Sequence, residues 1–123
     1  MGHVFQKAKL SAVNEEEVTM LVDTGATHSL ISPQLADRLG VVRFPRKETV
    51  TLANGQKVET DIGQAAIRVG DRQAVAQVLI ADCDEYLLGV ETLETLGLAV
   101  DPTEGRLKPT RGYTLRLGRL RPM

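Results

Sequence analysis

The sequence has no tryptophan and only two phenylalanines and two tyrosines among 123 residues. Aromatic platforms for stacking nucleobases are therefore scarce, and nucleic acid is not an expected partner. A single cysteine, Cys83, excludes an intrachain disulfide and with it the cysteine frameworks of small extracellular scaffolds. No apolar run approaches the roughly 20 residues that cross a bilayer. Residues 1–10 contain no long apolar stretch of the kind a secretory signal needs, and Gln6 stands where a myristoylation signal requires Ser or Thr. The expected location is the cytoplasm, with no membrane partner. Acidic residues are absent from residues 106–123, which carry six Lys/Arg, whereas residues 1–105 carry nine Lys/Arg and all sixteen Asp/Glu. The formal net charge of −1 thus hides an acidic body and a basic tail. Such a tail suits phosphate backbones or anionic surfaces, but a solvated terminal segment is the simpler reading.

What is present describes one soluble domain. Apolar residues make up 42% and charged residues 25% of the chain, and the length suits a single modest core, necessarily aliphatic. Short β-forming runs separated by turn signals dominate. His3 to Val13 alternates loosely, Glu15-Glu16-Glu17 reads as a solvated turn, and Val18 to Val22 as a strand. Ser32 to Gly40 has the N-cap, first-position proline and terminal glycine of a short helix. Asn54-Gly55, flanked by Thr49–Ala53 and Lys57–Thr60, is a strong hairpin signal. Ala65–Val69 and Ala74–Ile80 read as two strands turning at Gly70-Asp71, Val90–Leu96 as a second helix stopped by Gly97, and Leu98–Val100 as a strand leading through Asp101–Gly105 into Arg106–Lys108. The pattern predicts a mainly β domain over 1–108 followed by a less regular basic tail over 109–123.

The chemistry lies in Leu21-Val22-Asp23-Thr24-Gly25-Ala26-Thr27-His28-Ser29-Leu30-Ile31. An apolar strand delivers a carboxylate, a hydroxyl and a glycine at a turn. Burying a charge at a strand end is costly unless the carboxylate is hydrogen-bonded or shares a proton. Thr24 supplies a bracing hydroxyl, and Gly25 lets a backbone N–H approach the carboxylate. Taken alone, the tripeptide reads more simply as an Asx-type turn ending a strand. His3 has no partner at ligand spacing and Asp82-Cys83-Asp84 lacks the pattern of a metal site, so no metal is expected. Cys83 reads as a small buried hydrophobe.

Three elements in order, the apolar-Asp-Thr-Gly-Ala run, the Asn-Gly hairpin about thirty residues on, and Tyr86-Leu87-Leu88-Gly89 leading into a short helix, together resemble the retroviral-type (retropepsin-like) aspartic peptidases in their single-domain prokaryotic form. The resemblance spans Val18 to about Lys108. It implies a single-lobe acid-protease β-barrel with one or two short helices, active as a homodimer on peptide or protein substrates and needing no cofactor. Asp23 becomes the catalytic carboxylate, with Thr24, Gly25 and Ala26 as its support. Thr27, His28, Asn54 and Gly55 become substrate-binding positions, the last two at the tip of a flap. The family's mechanism needs two carboxylates across one water, and this chain has one Asp-Thr-Gly; Val100-Asp101-Pro102 lacks the Thr-Gly. A pair of chains is therefore implied, with identical residues facing across a two-fold axis. Ala26 stands where two-lobed pepsin-like enzymes carry a hydroxyl donor, which implies a less acidic optimum. Read from the residues alone, His28 is more simply a solvent-facing histidine without special role, and the hairpin also reads as an ordinary surface one. A weakly catalytic peptide-binding module on the same fold is the alternative function.

Overall fold

The structure, a computed structural model, describes residues 3–110, so residues 111–123, most of the expected basic tail, lie outside the described residues. Strands β1 (Phe5–Ser11) and β2 (Glu15–Val22) form an antiparallel hairpin in register from Phe5↔Leu21 to Ser11↔Glu15. Ala8, Leu10, Val18 and Met20 point into the core, as the period of two requires. The three consecutive glutamates are not a turn as expected: they open β2. Each of Glu15, Glu16 and Glu17 has a full backbone partner in Ser11, Leu10 and Lys9. Glu16 is also gripped at two points by Arg38, Nε to Oε1 at 3.0 Å and Nη2 to Oε2 at 2.9 Å, which holds its carboxyl below the usual carboxylate value.

After β3 (Ser29–Ile31), helix α1 (Pro33–Leu39) starts where Ser32 Oγ accepts the Leu35 N–H at 3.1 Å and stops at Gly40 in the left-handed region, φ 77°. Its last carbonyls are not left to solvent. Val13 and Asn14 donate their N–H groups to Leu39 O at 2.9 and 3.0 Å, and Asn14 Nδ2 donates to Arg38 O, so the β1–β2 turn is strapped to the helix end.

Strand β4 (Glu48–Thr51) pairs with the first part of β5 (Lys57–Val69), and β5 with β6 (Arg72–Ile80) from Asp61↔Ile80 to Val69↔Arg72. The two strands expected on either side of Ile62-Gly63 are thus one strand of 13 residues that changes partner along its length. Gly63 permits a crossing there: a Cβ on it would lie 2.5 Å from Val41 Cγ1 and 2.8 Å from Val42 O, where the segment after α1 passes over the strand. Strand β7 (Tyr86–Leu88), helix α2 (Val90–Leu96) and a separate hairpin of β8 (Leu98–Asp101) with β9 (Arg106–Pro109) complete the chain.

The strands close in the order β1-β2-β7-β3-β6-β5, with β5 returning to β1 through Lys9↔Arg68, Leu10↔Ile67 and Ser11↔Ala66. A six-stranded barrel results, with β4 projecting beyond it on β5. Two of its pairings are parallel, β2 with β7 and β3 with β6, and β3 meets β7 antiparallel at Leu30↔Leu87. Leu10, Met20, Ile31, Leu35, Leu39, Ile67, Val78, Leu88 and Leu96 fill the interior without an aromatic ring among the fully buried side chains.

The projecting β4–β5 hairpin is fastened at its base by charge. Asp61 accepts from Lys47 Nζ at 2.7 Å and faces Arg43 Nε at 3.4 Å. The Lys47 hydrogen bond holds the Asp61 carboxyl below its ordinary value of 3.8, and Asp61 raises Lys47 above 10.5. A depressed carboxylate contributes stability above its unfolded value and loses it as the pH falls through the folded one. Hydrogen-exchange protection factors across β4 will therefore fall relative to those of β6 as the pH drops below 3.8. In Asp61→Asn that difference will be present already at neutral pH.

Candidate active site

Asp23 is the first residue after β2, and its position is inherited from the β2–β7 parallel ladder, Met20↔Tyr86, Leu21↔Leu87 and Val22↔Leu88. The Asp23 N–H extends that ladder by donating to Leu88 O at 3.0 Å. Beyond it the chain turns sharply: the Ala26 N–H donates to Asp23 O at 3.1 Å, and the Gly25 N–H donates to Asp23 Oδ1 at 2.9 Å. A Cβ on Gly25 would stand 3.3 Å from the same oxygen, so glycine lets the backbone close on the carboxylate. Asp23 and Ala26 are half-buried, while Thr24, Gly25 and Thr27 are exposed.

The far side of this loop is held by α2. That helix begins at Gly89 without a side-chain cap, and the loop supplies what a cap would: Val90 donates to Ala26 O at 2.8 Å and Glu91 to Thr27 O at 3.1 Å. The contact is close because residue 89 has no side chain. A Cβ there would lie 2.4 Å from His28 O, 2.5 Å from His28 C and 2.9 Å from Ser29 N. Beneath it Ser29, fully buried, accepts the Gly89 N–H on Oγ at 3.0 Å and shares a 2.8 Å hydrogen bond with Thr92 Oγ1. Sequence reasoning reached Leu88 and Gly89 only as a strand end and missed Ser29 and Thr92 as a brace. The only available signal was two small hydroxyl residues at otherwise apolar positions.

His28 is half-buried, not solvent-facing, with Nδ1 3.5 Å from Glu91 Oε2. The cause is the flat contact of its own backbone with Gly89, which lays the imidazole along the first turn of α2. Asn54 and Gly55 form an exposed tip: Leu52 and Gln56 close a three-residue loop through Leu52 N to Gln56 O at 2.7 Å, with the Gly55 N–H donating to Leu52 O at 2.9 Å and Gly55 at φ 86°. Asn54 Oδ1 accepts the Gln56 N–H at 2.9 Å. Among the described residues no hydrogen bond joins this tip to the Asp23 loop. Asp101 serves its own turn, accepting from Thr103 and Glu104 N–H at 3.0 and 3.3 Å.

Among the described residues no group of three or more His, Cys, Asp or Glu is placed to hold a metal, and no helix is long and apolar enough to cross a membrane. Cys83 is half-buried, and burial together with Asp82 and Asp84 pushes its thiol above the ordinary value.

A closed barrel with one Asp-Thr-Gly turn braced by a glycine-led helix is a single acid-protease lobe of the retropepsin-like kind. The chain belongs to the family described as "gag-polyprotein putative aspartyl protease", whose model matches residues 11–95. It is 29% identical over 100 residues to the DNA damage-inducible protein 1 of Chaetomium globosum, covering 77% of this chain but 22% of that protein, so it spans about a fifth of that relative's length. Among solved structures it is similar to the EIAV protease complexed with the inhibitor HBY-793, at a TM-score of 0.62 and 26% identity over 78% of this chain and 89% of that one.

Ser29→Ala will strand the Gly89 N–H and the Thr92 hydroxyl in the interior, at about 1–3 kcal/mol of stability. Ser29→Ala with Thr92→Val will cost less than the sum of the two single changes, because the shared hydrogen bond is lost only once. Urea denaturation of the four proteins measures both effects.

Proposed function

We propose that this protein is an aspartic endopeptidase working as a homodimer, in which the Asp23 carboxylates of two copies face each other across one water. The observation that carries this reading is a single Asp-Thr-Gly carboxylate, half-buried at the end of a barrel strand and held by the Gly25 N–H, in a chain of the aspartyl protease family. Half of a dyad is present, and an isologous pair supplies the other half.

Two carboxylates within hydrogen-bond reach share one proton, since both cannot ionise at that separation. The ionised Asp23 takes a proton from water as the resulting hydroxide adds to the peptide carbonyl, while the protonated Asp23 of the second copy donates to the carbonyl oxygen. The first Asp23, now protonated, donates that proton to the leaving nitrogen while the second, now ionised, takes a proton from a hydroxyl of the tetrahedral intermediate; the C–N bond breaks, a carboxylic acid and an amine leave, and the pair again shares one proton. Gly25 orients the carboxylate, and Thr24 supports the loop against its mate. Ala26 offers no side-chain donor to the charged form, which raises the pH at which the pair works. The β4–β5 hairpin with Asn54 and Gly55 at its tip closes over the peptide, and Thr27 and His28 line its path. No cofactor takes part.

Asp23→Asn will lower kcat/KM on a mixed peptide library by at least about 10³-fold while keeping the fold. Equal cleavage by both proteins overturns the assignment, and peptide binding without cleavage by either assigns the fold to recognition. The pH–rate maximum of the wild type will lie well above pH 2, where a pepsin-like hydroxyl donor would allow it to fall. Sedimentation will give a dimer at concentrations where activity is seen, and dilution will abolish both together.

A further inference from the structure

Between α2 and the outer face of β5–β6 lies a recess of about 160 Å³, the size of one long side chain. His28 stands at one end, and Gln64, Val75, Gln77, Glu91 and Thr95 line the rest. Its one acidic side chain is Glu91, beside the amides of Gln64 and Gln77, cross-strand partners on β5 and β6 that can each present an oxygen to a donor. No lysine or arginine lines it. The nearest cation along β6, Arg72, is committed to the other end of α2, where Nη1 donates to Leu96 O at 2.9 Å and Gly97 O at 3.3 Å. Arg68 lies on β5 four positions beyond Gln64, while the segment that carries Gln77 and α2 is acidic. Residues 73–105 hold seven Asp/Glu and no Lys or Arg.

The recess is rigidly indexed to Asp23. Glu91 and His28 are fixed to the Asp23 loop by the Val90–Ala26 and Glu91–Thr27 hydrogen bonds and by the backbone contact at Gly89. His28 lies five positions after Asp23, a span of at most about 17 Å, so a side chain in the recess belongs to a residue within about five positions of a peptide bond held at Asp23. Glu91 is mostly exposed, and its 3.5 Å approach to His28 is longer than a good charged hydrogen bond, which leaves the carboxylate able to turn to a better donor.

We propose that this recess is a specificity subsite that takes a lysine or arginine side chain of the bound peptide, with Glu91 as its counter-charge and Gln64 and Gln77 as hydrogen-bond acceptors. The proposal rests on the peptide-binding reading of the Asp23 site. The Glu91 carboxylate at the recess favours a basic over an acidic side chain there.

The test uses binding, so that it does not depend on cleavage. Asp23→Asn protein is titrated with fluorescent peptides that place Lys, Gln or Glu at each of the five positions on either side of a fixed apolar pair. The Lys peptide will bind about tenfold more tightly than the Gln peptide at one position or two adjacent ones. Adding Glu91→Gln will remove that ratio, and adding Glu91→Lys will invert it in favour of the Glu peptide. Thermal unfolding of each variant checks that the lobe is intact, and Gln77→Leu, which leaves the helix untouched, will reduce the same ratio. A Lys preference that survives Glu91→Gln and Glu91→Lys, equal binding of the three peptides, or no binding at all overturns the subsite. The comparison of wild type with Asp23→Asn in cleavage decides the peptidase reading separately.

Discussion

Everything in this lobe that bears on chemistry depends on one backbone contact, Gly89 against His28 and Ser29. Because residue 89 has no side chain, the junction of β7 and α2 lies flat on the chain leaving Asp23, and two N–H groups of the helix's first turn reach carbonyls of that loop. The helix thereby receives its cap from the loop and the loop receives its shape from the helix. Neither would be ordered alone: α2 has seven residues, too few to persist without tertiary support, and the loop has three exposed residues out of its first five. The parallel β2–β7 ladder then sets the height at which Asp23 emerges, and the Ser29–Thr92–Gly89 hydrogen bonds remove the desolvation cost of the polar groups that the contact buries.

The barrel and the hairpin that stands off it are stabilised by different physics. Within the barrel, closure of β5 onto β1 leaves no free edge in the ring, and aliphatic side chains fill it. The β4–β5 hairpin lies beyond that core. At its base it is anchored by Lys47, Arg43 and Arg46 on Asp61 and Glu48, all near the surface, and its tip carries the partly exposed Leu52. Surface ion pairs stabilise weakly and are sensitive to salt and pH, so the hairpin can rearrange while the barrel holds its shape. That separation suits the flap role proposed for the hairpin.

The helices and turns were legible in the sequence because their signals are local: Ser32, Pro33 and Gly40 for α1, Gly97 for the end of α2, Asn54-Gly55 and Gly70-Asp71 for two hairpins. The Asp-Thr-Gly turn was legible for the same reason. What escaped is what depends on partners distant in the chain. Glu15–Glu17 look like solvent until β1 and Arg38 are placed beside them, and Gly63 looks like a strand break until Val41 and Val42 cross over it. His28 reads as exposed because nothing local reveals that Gly89, about sixty residues on, draws its backbone against the helix. Ser29 and Thr92 carry no periodic signal at all, since a hydroxyl at a core position is explained only by the other hydroxyl.

The use of the Asp23 oxygens gives the arrangement its direction. Within the chain Oδ1 accepts the Gly25 N–H, and among the described residues no donor of the same chain hydrogen-bonds Oδ2. A half-buried carboxylate held on one oxygen is oriented by that bond and keeps its second oxygen open to a partner from outside the chain. In the dimer we propose, a water held between this oxygen and an identical one on a second copy would bridge the two carboxylates at the atom where proton transfer would occur. That open oxygen is the feature of the single lobe that suits the proposed pairing. The sequence holds no second Asp-Thr-Gly, and the carboxylate of Asp101, at the end of β8, is spent on the turn between β8 and β9.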